Sequence, residues 1–543
     1  MSHRTPPIGA GTLCLPLFLS LSAGCTAEYE SQQITGLPSV ESDPKTPHIV
    51  LIITDQHRAD AVGFDGNESV FTPHLDRLAA EGVVFSSGYA SVPSCTPARA
   101  GLLTGMSPWN NGMLGYGRVA REYEFAMPQM LRELGYYTFG IGKMHWFPQK
   151  TLHGFHGTLV DESGRVETEG FVSDYRNWFK QQAPGLHPDA TGIGWNEHRA
   201  GVYVLEEELH PTVWTGQTAV SVIEHYEQAA PLFLKVSFAR PHSPYDPPQR
   251  YLDMYEGVDI PPPVVGEWAA PFADRPMTRD AAFGDFGVEH AVNSRRHYYG
   301  LITQIDDQIG EIVSVLKRRD MFENTLLIFV SDHGDMLGDH HHWRKTYAYE
   351  GSARVPFMMR WPGRFDGALA RGTVLSNPVE LRDILPTFID AAGGVVPDRM
   401  DGQSLLHLVR NPQTVWRPWI DLEHARTYSP HNYWSALTDG AMKYIWFFST
   451  GEEQLFDLEN DPGELVNLAQ NSDYTEELLR WRERLGAHLA ERGESFSKEG
   501  VPVIRETSLV YSPHYPAELE ELTPRQRAQR WRQELQASYG LEP

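Results

Sequence analysis

Three short, largely apolar runs constrain the fold most: His48-Ile49-Val50-Leu51-Ile52-Ile53-Thr54, Pro231 to Phe238, and Thr325 to Val330. A strand with one face in water alternates apolar and polar residues, whereas these runs are apolar on both alternations and rich in β-branched side chains. They read as central parallel strands covered on both faces. Each run is followed by polar residues: Asp55 after the first, His242 after the second, and Asp332-His333 after the third. Helical patterns lie between them, at Leu75 to Glu81, Met127 to Leu134, Thr218 to Ala229 and Tyr298 to Arg318. Strands alternating with helices predict an α/β fold with a large doubly wound sheet flanked by helices, whose ligands sit beyond the strands' carboxyl ends.

Pro and Gly punctuation from about Val396 to Arg417 ends this alternation. Short strands around Met442 to Phe448 follow, then amphipathic helices near Thr475 to Glu491 and Pro524 to Tyr539. The expected organisation is a catalytic domain over residues 47–410 and a smaller α+β domain over 411–543 that completes the substrate cleft. A chain of 543 residues, 41% of them hydrophobic, can bury both cores. No internal repeat is visible.

The beginning of the chain has His3 and Arg4, an apolar stretch from Leu13 to Leu21, and then Ser22-Ala23-Gly24-Cys25. Charge, a short apolar segment and small residues before a Cys read as a bacterial lipoprotein-type signal over residues 1–25, with Cys25 acylated. Residues 26–46 are polar and aperiodic, as in a flexible tether. The expected location is outside the cytoplasm, in the periplasm or at the outer membrane or cell surface, with a lipid anchor as the only membrane contact. The other cysteines are Cys14 and Cys95, so a disulfide framework is not expected and Cys95 is left alone. A formal net charge of −25 argues against nucleic acid as a partner. An anionic substrate would have to meet a local cluster of cations.

Such a cluster is written around Cys95. Ser94-Cys95-Thr96-Pro97-Ala98-Arg99, continuing to Thr104-Gly105, resembles the signature of the type I sulfatases, C-x-P-x-R leading into a helix. Gly142-Lys143-Met144-His145 resembles the second signature of that family. Asp55, Pro241-His242, Asp332-His333-Gly334 and Lys345 occur in the family's order. The resemblance runs from about Pro47 to Gly402 and more loosely to Leu455–Pro462. It implies an alkaline-phosphatase-like fold and hydrolysis of a sulfate ester on a sulfated carbohydrate or a small aryl ester.

The resemblance also implies that Cys95 is oxidised by a formylglycine-generating enzyme to the aldehyde formylglycine. One hydroxyl of the hydrated aldehyde would attack sulfur, and the other would re-form the aldehyde and eject sulfate. Asp55, Gln56, Asp332, His333 and the oxygen at residue 95 would hold a divalent cation, calcium by family habit, with magnesium and manganese as alternatives. Arg99 would hold the hydrated aldehyde, and Lys143 and Lys345 the sulfate oxygens. His145 would serve near the nucleophile and His242 would protonate the leaving alcohol.

Gln56 is a departure, because many members have a second Asp there. Gln keeps a carbonyl oxygen but removes a negative charge, a variant shared with some sulfatases and with relatives that hydrolyse phosphonate monoesters and phosphate diesters. Those reactions form the alternative reading. The His340-His341-His342 run reads as loop or substrate rim rather than as a metal tract. Trp109, Tyr116, Arg118, Trp146 and Trp343 are candidates for substrate walls, with burial in the core as the competing role.

Overall fold

The computed structural model describes residues 46–162, 170–274 and 278–516. The expected signal peptide, nearly all of the tether and the helix at Pro524 to Tyr539 lie outside the described residues. Ten strands belong to the larger part of the molecule: β1 (His48–Asp55), β2 (Val83–Phe85), β3 (Gly88–Tyr89), β4 (Tyr137–Gly142), β5 (Gly157–Val160), β6 (Leu232–Pro241), β7 (Thr325–Ser331), β8 (Phe357–Arg360), β9 (Thr373–Leu375) and β10 (Val379–Glu380). Eight of them form one sheet in the order β5-β4-β6-β1-β7-β8-β2-β9, while β3 and β10 pair with each other. The run β5-β4-β6-β1-β7 is parallel throughout. β8 is antiparallel to both β7 and β2, so the sheet is mixed.

The three apolar runs of the sequence are β6, β1 and β7, adjacent at the middle of this sheet. Ile49, Leu51 and Ile53 face Ala98, Leu102, Leu385 and Phe388 on one side. Val50 and Ile52 face Leu75, Ala219, Ile305 and Ile309 on the other. The unbroken apolar character of β1 is thus the sum of two cores, one on each face.

Two helices differ from their expected spans. The helix expected at Thr218 to Ala229 is Pro211–Glu224, started by a proline at its first turn and by the His210 ring, which accepts from Thr212 N. The helix expected at Tyr298 to Arg318 begins earlier and spans Val288–Arg318. Its first turns are buried through polar bonds, which an apolar period cannot reveal: Ser294 Oγ donates to His198 O at 2.7 Å, and Arg295 Nε to Leu337 O at 3.2 Å.

Towards the C-terminus, β11 (Ile420–His424), β12 (Trp434–Thr438), β13 (Met442–Phe447) and β14 (Glu453–Asp457) form an antiparallel sheet in sequential order. Leu437, Tyr444 and Leu455 pack one face against Leu478, Trp481 and Leu485 of the Thr475–Leu489 helix. Leu422, Ala436, Ile445 and Phe456 pack the other face against Tyr89, Tyr349 and Ala353.

Candidate active site

The carboxyl ends of β1, β6 and β7 converge. Asp55 is the last residue of β1, and the register with β6 slips between Ile53 and Asp55. The slip brings the β6 exit across the strand end, where His242 N donates to Asp55 O at 3.0 Å. On the other side Asp332 N donates to Thr54 O at 3.2 Å, and Gln56 N to Asp332 Oδ1 at 3.1 Å.

Cys95 opens the Cys95–Thr104 helix, which packs under this edge. Its Sγ lies 3.1 Å from His333 Nε2 and 3.6 Å from Asp55 Oδ1. One turn on, Arg99 Nε donates to Asp332 Oδ2 at 2.8 Å, and its Nη1 to Lys143 O at 2.6 Å and Ser237 Oγ at 2.9 Å. Arg99 Nη2 has no hydrogen-bond partner among the described residues.

Lys143 Nζ donates to Asp55 Oδ2 and stands 3.9 Å from Cys95 Sγ. Lys345 Nζ donates to Gln56 Oε1 at 2.8 Å and lies 3.2 Å from Cys95 Sγ. The Gln56 amide is oriented from behind, because its Nε2 donates to Asp335 Oδ2 at 2.5 Å, an oxygen that also receives Tyr245 OH at 2.5 Å. Its Oε1 is therefore turned to the cluster.

The donor geometry fits a divalent cation. Ligand atoms of Asp55, Cys95, Asp332 and His333 all lie within 4.8 Å of one another, and all four side chains are buried. Lys143 and Arg99 hold the two Oδ2 atoms, while Asp55 Oδ1 and Asp332 Oδ1 face His333 Nε2 at 3.4 and 3.5 Å. His333 Nδ1 faces Gly334 O at 2.9 Å, so a ring that gave up its second proton to a bound cation would present the Nε2 lone pair to it. Two carboxylate oxygens, an amide oxygen and an imidazole make a mostly hard donor set that could hold a divalent cation.

The field in the cluster is strongly positive despite the acidic chain. Burial pushes the Asp55 carboxyl up, but Lys143, His242, Lys345 and His333 outweigh it and hold the group well below the usual carboxylate range. Burial and Asp55 push the Cys95 thiol up, while Lys143, Lys345 and His333 bring it down to about 7. Burial and the Lys345 charge depress His242 well below the usual imidazole value. A site with this balance retains an anion.

A family model described as sulfatase matches residues 47–395. The chain belongs to the sulfatase family. A second model, for the C-terminal part of N-sulphoglucosamine sulphohydrolase, matches residues 338–491 of this sulfatase. It is 39% identical over 466 residues to an arylsulfatase of Clostridium perfringens (strain 13 / Type A), covering 83% of this chain and 96% of that relative. It is 33% identical over 448 residues to a choline-sulfatase of Rhizobium meliloti (strain 1021), covering 78% and 83%. The crystal structure of the phosphonate monoester hydrolase of Agrobacterium radiobacter superposes with a TM-score of 0.69 at 26% identity, covering 84% of this chain and 99% of that one. The sulfatase has the alkaline-phosphatase-like fold of these relatives and is a hydrolase of sulfate esters.

The structure brings Asp55, Gln56, Cys95, Arg99, Lys143, His242, Asp332, His333 and Lys345 into one buried cluster. His145 is buried nearby, two residues beyond Lys143. Its backbone N donates to Glu162 Oε1 at 2.7 Å, as does Met144 N at 2.8 Å. Three residues of the site were not anticipated. Glu162 and Asp335 each follow a strand within a few residues, a signal that could have found them. Trp195 lies in a loop without periodicity, yet its ring stacks on His242 at 4.1 Å and Lys143 Nζ sits 4.9 Å from its centre.

Several expected wall residues are core instead. Trp343 is buried and its Nε1 donates to Gly284 O, Trp146 packs on Phe155 and His153, and Trp109 packs on Phe496. Arg118 lies over the Phe147 ring. His340 and His342 form no rim either, since both are buried against Trp268 and Phe272 respectively.

Proposed function

We propose that this sulfatase removes sulfate from a sulfated carbohydrate or aryl ester outside the cytoplasm, with Cys95 converted to formylglycine by a formylglycine-generating enzyme. Asp55, Gln56, Asp332, His333 and the oxygen that would stand at residue 95 are the ligands for a divalent cation, calcium by preference. When present, the cation supplies positive charge to anionic oxygens and the aldehyde hydrate supplies an oxygen nucleophile. The observation that carries this reading is the position of Cys95 Sγ, within 3.1–3.9 Å of His333, Lys345, Asp55 and Lys143 beyond the carboxyl ends of the central strands.

The chain's own groups divide the remaining work. Lys143 and Lys345 bind the nonbridging sulfate oxygens, whose charge must be stabilised as the ester bond lengthens. Arg99 fixes Asp332 and offers its Nη2 to the group at residue 95. His242 turns Nε2 towards the leaving oxygen, and His145 is positioned by Glu162 beside the Lys143 loop. Location outside the cytoplasm and a lipid anchor at Cys25 rest on the N-terminal sequence.

Mass spectrometry of the tryptic peptide across Cys95 should show the aldehyde, and the matured protein should release sulfate from 4-nitrophenyl sulfate. Cys95→Ala should retain the fold and lose at least ~10³-fold in rate, as removal of a nucleophile does. Full activity with a plain thiol at residue 95 would overturn the reading.

A second reading, hydrolysis of phosphonate monoesters or phosphate diesters, is favoured by Gln56 and by the 26% identity to the Agrobacterium radiobacter enzyme. Rates on matched aryl sulfate and phosphonate substrates decide between the two.

A further inference from the structure

The cations beside Cys95 are nearly all engaged. Lys143 holds Asp55, Lys345 holds Gln56, and Arg99 holds Asp332, Ser237 and a carbonyl. Arg344, further along the same wall, is not so engaged. It adjoins Lys345 and is only 7% exposed, yet its Nε has no hydrogen-bond partner, and its guanidinium forms no ion pair among the described residues. Asp280 is the carboxylate whose charge acts on it most, and it remains outside ion-pair contact. Its Nε is a buried donor without an acceptor, which is costly unless some other molecule supplies one.

Arg344 lies against an aromatic pair. Its guanidinium carbon sits 4.4 Å from the centre of the Tyr428 ring. Tyr428 OH is 3.4 Å from Tyr116 OH, and the Tyr116 ring meets the His424 ring edge-on at 5.8 Å. His424 Nε2 is 2.9 Å from Ser94 Oγ, the residue before Cys95, and Gly117 N donates to Thr96 Oγ1 just after it. These contacts form a continuous wall from the start of the Cys95 helix, through Tyr116 and Tyr428, to Arg344. Tyr428 is 40% exposed, so the outer end of the wall meets solvent.

The guanidinium does not support its own loop. Arg344 N donates to Asp335 Oδ1 at 2.9 Å, and Arg344 O accepts from Met336 N at 2.7 Å. Those main-chain bonds persist when the side chain is shortened.

Resting on the sulfate-ester reading above, we propose that Arg344 determines specificity by binding a second oxyanion on the alcohol part of the substrate, a carboxylate or a further sulfate, while Tyr116 and Tyr428 line the ring that carries it. Planar, forked donors suit either oxyanion, and an aromatic face suits a sugar or aryl ring. The scissile sulfate is already matched by Lys143, Lys345 and Arg99, which leaves Arg344 for another charge.

The test compares 4-nitrophenyl sulfate with two analogues of matched leaving-group acidity, one bearing a ring carboxylate and one a second sulfate. Wild type, Arg344→Gln and Tyr428→Ala are assayed after maturation, with thermal melts as a folding control. Wild type should prefer at least one dianionic substrate, and the better of the two identifies the oxyanion. Arg344→Gln should lower kcat/KM for it about 10- to 100-fold, the usual loss of a charge-assisted contact, and change 4-nitrophenyl sulfate hydrolysis less than about 3-fold. Tyr428→Ala should weaken binding of all three ring substrates through KM. Equal losses on neutral and charged rings, no loss in Arg344→Gln, or no preference in wild type would each overturn the proposal. Absence of sulfate release from every substrate would instead overturn the sulfatase reading beneath it.

Discussion

His242 shows how residue type alone underdetermines role. Its Nδ1 faces Ser243 O at 2.9 Å, so the neutral ring carries its proton there and turns a lone pair on Nε2 to the site. Burial and Lys345 oppose a second proton, while Asp55 favours it. A bound anion that screens Lys143 and Lys345 would raise the imidazole and let Nε2 carry a proton to the leaving oxygen. His242→Gln should therefore lower the rate on alkyl sulfates by roughly 100-fold or more, and on 4-nitrophenyl sulfate by less than about 10-fold, because a good leaving group needs little help. A leaving-group series measures this, and a uniform loss across the series would remove the acid role. Gln56 is similar: its identity is plain in the sequence, but the direction of its amide is decided by Asp335 and Tyr245, residues far away along the chain.

At the scale of elements, the turn after β4 places Lys143. Gly142 has φ of +84°, and a Cβ there would lie 2.0 Å from Ser237 O on the neighbouring β6. The close approach lets Lys143 N donate to Ser237 O at 2.8 Å and turns the Lys143 side chain to Asp55. Gly142→Ala meets both strain and collision with backbone, and should cost about 3 kcal/mol or more. Gly140→Ala, whose nearest neighbour is the flexible end of Met144, should cost less. Denaturant unfolding of both variants checks the order, and equal midpoints would refute it. The neighbouring β6 was legible because being buried on both faces leaves a long apolar run, whereas β4 itself was not anticipated. The first third of the Val288–Arg318 helix was not legible either, because polar bonds rather than apolar contacts bury it.

For the whole molecule, the C-terminal sheet is part of the catalytic edge. β11 meets the loop before Cys95 through Glu423 N to Ser91 O at 2.8 Å and through the Ser94–His424 contact at 2.9 Å. Buried ion pairs cross the same seam: Arg382 with Asp421 at 2.7 Å, and Lys443 with Glu350 at 2.6 Å. A chain ending at residue 410 would strand Arg382 and Glu350 without these partners, and removing one member of a buried pair typically costs about 3–5 kcal/mol. Such a truncation should be insoluble or unfolded and should release no sulfate. A monodisperse, active fragment, judged by gel filtration and assay, would show that the sheet is dispensable.

Sequence alone determined the central β6-β1-β7 strands, the polar residues at their ends, the helix opening at Cys95 and the family. Each of these is a local property: burial on two faces writes a continuous apolar run, and a short motif carries its chemistry within a few residues. Tertiary structure alone decided which acid faces which cation, that Trp109, Trp146 and Trp343 belong to cores, and that Arg344 lies against the Tyr428 ring. These outcomes depend on contacts between segments remote in sequence, where packing and electrostatic pairing select one partner among many of the same residue type.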